Sequence, residues 1–85
     1  GMSEGWTYEI RVQGRIGERW AHWFEDMSVR ARGEADSTTT ILTGSVTDQA
    51  ALLGLLQRLY TLGLPLLLVQ RQDQGLDRSE RRQKQ

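Results

Sequence analysis

The chain holds one histidine and no cysteine, so the chemistry open to it is narrow. Glu18, His22 and Asp26 recur at i, i+4 and i+8, which on a helix gathers two carboxylates and an imidazole on one side. Nitrogen and oxygen donors of this kind can hold a divalent metal. A solvated polar face opposite the neighbouring tryptophans accounts for the same three residues, and that simpler reading outweighs a metal site. A hydrolytic triad can draw only on His22, and Ser28, Ser37 and Ser45 stand in no nucleophile-elbow context. Gly14 and Gly17 form a G-x-x-G without the lysine and third glycine of a phosphate loop. Together with Trp20 they are the weak candidates for a small-ligand pocket. The expectation is a protein without catalytic residues, cofactor or resident metal.

Composition narrows the classes further. Eighty-five residues make one domain with a thin stability margin. Without cysteine there is no disulfide and no thiolate site, which fits a reducing, cytoplasmic compartment. No stretch reaches the roughly 18 apolar residues of a membrane span. Net charge is zero, with six arginines against eight acids in residues 1–70 and five basic groups against three acids in residues 71–85. Neither half makes the basic field of a nucleic-acid binder. Gly1 ahead of Met2 reads as an expression scar, and residues 1–5 as a leader. Residues 6–70 form the domain. Residues 71–85 hold one large apolar residue, Leu76, and read as a charged tail, disordered or docked on a partner chain.

The elements follow from periodicity. Trp6 to Gly14 reads as a first strand, with Trp6, Tyr8, Ile10 and Val12 on its inner face. A turn at Gly14–Gly17 leads into a short helix from Glu18 to Asp26, whose Trp20, Trp23 and Phe24 share one face and cover that strand. Met27 to Arg32 reads as strand two and Thr38 to Val46 as strand three, joined in an antiparallel hairpin through Gly33–Ser37. Leu42 is placed inward.

The densest apolar stretch is Thr47 to Val69. Thr47 or Asp48 caps a helix running from Asp48 to Leu62, which Gly63, Leu64 and Pro65 end. Leu52, Leu55, Leu56, Leu59 and Leu62 make its core stripe. Leu53 and Tyr60 widen the apolar arc beyond what one sheet needs. Gly54 interrupts the helix at about 1 kcal/mol against alanine, as a site of close backbone approach would require. Leu64 to Val69 is a nearly unbroken apolar strand, which predicts cover on both faces.

Strand, helix, strand, strand, helix, strand is the order of an α+β, ferredoxin-like βαββαβ fold. A four-stranded antiparallel sheet then carries two helices on one face, because right-handed crossovers bring both to the same side. The outer sheet face mixes charges with leucine. Arg11, Arg30 and Leu67 there, with Leu53 and Tyr60 on the helix, are the candidate interface residues of a homodimer. RNA binding is excluded because the third strand, T-T-T-I-L-T-G-S-V, has no aromatic residue.

The runs W-A-H-W-F, I-L-T-G-S-V-x-D-Q-A-A-L-x-G-L-L and L-G-L-P-L-L-x-V resemble a family of short bacterial proteins of uncharacterised function. The resemblance covers residues 6–70, is most specific in D-Q-A-A-L-x-G-L-L, and implies no activity or catalytic residues. In architecture alone the chain is also similar to ACT-type regulatory domains, whose ligand loop would fall at Gly14–Gly17. No acidic residue stands before these glycines to match. The leading expectation is a non-enzymatic homodimeric interaction module; the alternatives are a small-ligand-sensing ACT-like domain and, last, a metal-dependent enzyme.

Overall fold

A computed structural model of the chain describes residues 5–72. The tail expected from residue 71 onward lies outside the described residues, apart from Arg71 and Gln72. The order is β1 (Trp6–Gln13), a 3-10 helix (Glu18–Phe24), β2 (Ser28–Arg32), a 3-10 turn (Ala35–Ser37), β3 (Thr39–Val46), α1 (Gln49–Thr61) and β4 (Leu66–Gln72). The strands form one antiparallel sheet in the order β2-β3-β1-β4. The fold is α+β, with one α-helix and one 3-10 helix bracketing the central hairpin in sequence.

Alternation places the core as read from the sequence. Tyr8, Ile10 and Val12 of β1 face Leu42 and Val46 of β3, and Leu52, Leu55 and Leu59 of α1 close over them with Phe24. Leu42 points inward, as expected. Ile41, on the opposite parity, is also buried, lying between Arg11 and Arg30 in the register of the outer face. Trp6 departs from the reading: it lies past the end of the core, is exposed, and takes the Arg71 guanidinium 4.8 Å from its ring centroid.

The caps of α1 are well made. The Asp48 carboxylate accepts the Ala51 N–H at 2.8 Å, satisfying a donor the first turn leaves orphaned. At the other end Gly63 takes φ +77, its N–H donates to Tyr60 O at 2.9 Å, and Leu64 N–H reaches back to Leu59 O at 3.3 Å. That is a Schellman close, with Leu64 folded onto the core.

Two expectations are corrected. The first helix is 3-10, from Glu18 to Phe24, not an α-helix to Asp26. Three residues per turn cannot hold Trp20, Trp23 and Phe24 on one face. Phe24 is buried, whereas Trp20 and Trp23 remain half-exposed and tilt against each other at 4.8 Å. The fourth strand is not covered on both faces by the described residues. It is a sheet edge, it continues to Gln72, and most of its residues are exposed. Its apolar run fills positions beside the core without being sealed by it.

Candidate functional site

The 3-10 geometry decides the fate of the histidine set. At about 120° per residue, positions four apart on a 3-10 helix are turned away from each other. Glu18 and His22 therefore lose the shared side that an α-helix would give them, and Asp26 lies beyond the last helical residue, Phe24. No group of three metal-ligating side chains forms among the described residues.

The Gly14–Gly17 turn is spent on the fold. Gly14 N–H donates to Thr38 O at 2.8 Å, and the carbonyl of Gly14 accepts the hydroxyl of buried Thr40. The neighbouring Gln13 N–H donates to Pro65 O at 2.9 Å. Three segments are thus tied together at this end of the sheet. Trp20 lies beside the turn with Arg19 stacked 5.4 Å from its ring.

A cleft of about 420 Å³ opens at the opposite end of the sheet, where β3 passes into α1. Its polar lining is Asp26, Ser45, Thr47 and Arg58, and Gly54 and Ala50 form part of its floor. Arg58 is anchored by donating to the Trp23 carbonyl at 3.1 Å. A Cβ built on Gly54 meets nothing within 4 Å. The close approach expected at this glycine is therefore not made by any described part of the chain. The sequence singles out Gly54 within α1 but does not join it to Arg58, Asp26 and Ser45. The visible signal was Ala50, Gly54 and Arg58 spaced by four.

The remaining candidates lie on the surface. Arg11 is part of an ion pair with Glu9, which also accepts from Gln72 at 3.0 Å. Arg30 is exposed on the same outer face. That face is largely polar, since β1, β2 and β3 contribute Thr7, Glu9, Arg11, Ser28, Arg30 and Thr43 to it. The exposed apolar surface is elsewhere. Tyr60 is 78% and Leu53 63% exposed, while Leu66 and Leu67 are each 52% and Val69 38% exposed. At about 100° per residue, Leu53 and Tyr60 occupy the flank of α1 opposite Gly54 and Arg58. Arg58 reaches the 3-10 helix, so Leu53 and Tyr60 lie on the flank of α1 turned away from that helix. Leu66 and Val69 pair with Val12 and Ile10, which puts their side chains on the same sheet face as the helix. Leu53, Tyr60, Leu66 and Val69 thus border one side of the molecule. The sequence named Leu53, Tyr60 and Leu67 and missed Leu66 and Val69, because the unbroken run was read as buried.

No described helix is long and apolar enough to cross a membrane. No curated protein matches the chain, and no solved structure matches it. The model of one family, described as Domain of unknown function (DUF8691), matches residues 7–70. The chain belongs to that family.

Proposed function

We propose that this DUF8691 chain is a non-enzymatic interaction module that works as a homodimer, a small bacterial protein of the cytoplasm. One observation carries the reading: four large apolar side chains, Leu53 and Tyr60 on α1 and Leu66 and Val69 on β4, stand exposed on the helix-bearing face. Contiguous apolar surface of this kind marks a protein-contact site. Of the two surfaces considered, the outer sheet face and the helix flank, the exposed apolar groups favour the flank together with β4. For the architecture, the strand order supports a ferredoxin-like arrangement: β1 and β3 are central, and each of the two helical crossovers spans one intervening strand. Light scattering on the full chain tests the reading. A dimeric mass that falls to monomer in a Leu53→Lys, Tyr60→Lys variant with unchanged circular dichroism supports it; a monomeric parent chain overturns it.

A second reading, small-ligand sensing, is favoured by the cleft at Asp26 and Arg58 rather than by Gly14, Gly17 and Trp20. Opposite charges line one cavity there without pairing to each other. Its volume falls within the range of small-molecule sites. A thermal-shift screen of amino acids and nucleotides tests it. Stabilisation lost in Arg58→Ala supports it, and no shift with any compound counts against it.

A further inference from the structure

The two edges of the sheet differ in a way that points to the partner. β2 is one edge, five residues long, and Arg30 and Arg32 alternate along it. Short length and repeated charge are how an edge strand is kept from pairing with another chain. β4 is the other edge, with seven residues, Leu66, Leu67, Leu68 and Val69 in succession, and a single charge at Arg71. Among the described residues no strand pairs with its outer side. By length and charge one edge is thus guarded and the other is not; the one irregularity of β4 is a bulge at Leu67, opposite Arg11–Val12.

We propose, resting on the self-association reading above, that the occupant of the β4 edge is the β4 of a second copy. The two strands run antiparallel about a two-fold axis at Leu68–Val69 and join two four-stranded sheets into one of eight. Three observations select this occupant. An unguarded edge meeting its own copy makes an isologous contact that closes at two chains, whereas β4 against a partner's β2 would leave free edges and grow into filaments. The outward apolar run carries no carboxylate and nothing that would select a charged partner strand. The chain that follows β4, residues 73–85, contains one large apolar residue in thirteen, so its composition is unsuited to cover four apolar positions.

The axis position follows from charge and apolar content. An axis at Arg71 would set two guanidinium groups opposite each other, which is destabilising. At Val69, Arg71 lies opposite the partner's Leu67, and the two Val69 side chains meet on the helix-bearing face of the sheet.

The chain has no cysteine, so single cysteines at positions 66 to 70 of the full chain report the register directly. On the axis the paired Cα atoms lie about 4.5–5.5 Å apart, within disulfide reach. One residue off the axis, two copies are displaced by about 6.6 Å along the strands, which takes the Cα separation to about 8 Å and beyond reach. Mild oxidation of the five variants, with mass measured before and after, is expected to give disulfide-linked dimer at Leu68→Cys, Val69→Cys or both. Positions 66 and 70 are expected to stay at background. A chain that is dimeric before oxidation but shows no peak among these positions overturns the edge pairing and leaves self-association through another surface standing. A monomeric chain overturns both.

Discussion

Two glycines that look alike in sequence serve opposite ends at the residue scale. A Cβ on Gly44 would lie 2.6 Å from Met27 Sδ and 3.2 Å from Asp26 O. The turn before β2 crosses β3 at this point, so a Cβ here requires the Met27 side chain to move and the Asp26–Met27 backbone to give by a few tenths of an ångström. A Cβ on Gly54 meets open space. Gly44→Ala is therefore expected to destabilise the fold by about 1–3 kcal/mol, the range for overpacking. Gly54→Ala is expected to stabilise it by about 1 kcal/mol, the helix-propensity difference. Urea unfolding at one protein concentration checks both signs. If Gly54→Ala instead lowers stability, something beyond the described chain occupies that face of α1. Asp48→Ala removes the one side-chain cap of α1 and is expected to lower stability by about 1 kcal/mol in the same assay.

Among the elements, legibility in the sequence tracked how local the determining physics was. α1 was readable to its caps, because the cap at Asp48 and the stop at Gly63 act within a turn of the chain. The alternation of β1 and the inward Leu42 were readable for the same reason. Glu18 to Asp26 was not, since glutamate, tryptophan and phenylalanine at three- and four-residue spacings suit either helical period until packing chooses. The candidate metal set dissolved with that choice. β4 was misread because an apolar run states what a strand requires of its surroundings, not whether one chain supplies it. The cleft combines residues from the turn before β2, the end of β3 and α1, and no local pattern announces such a meeting. A prediction belongs to β4 itself. Leu67→Lys with Val69→Lys gives the edge the charge that β2 already carries, and the variant is expected to be folded and monomeric. Retained dimer mass in that variant would move the interface off β4. Phe24 belongs to the other crossover, where it is the buried anchor of the 3-10 helix. Phe24→Ala is expected to lose about 3–5 kcal/mol, measured by denaturant unfolding, a large part of what a chain this small can hold.

Taken over residues 5–72, the molecule is a half-covered sheet. Its centre, β1 with β3, is sealed by α1 and Phe24, and among the described residues its two margins are open. On the β2 margin exposed Val29 stands among Ser28, Arg30 and Arg32, which guard it; on the β4 margin the exposed residues are mostly apolar. A domain that buries only about 60% of its unfolded surface gains stability from each apolar group it can seal against a partner. Association is therefore expected to support the fold, with an unfolding midpoint that rises with protein concentration. The most direct measurement is solution mass by light scattering, on the full chain and on a version ending at Gln72. Self-association through α1 and β4 within the folded domain predicts a dimer for both. A monomer for both would contradict it, and a dimer only in the longer chain would place the contact in residues 73–85 instead.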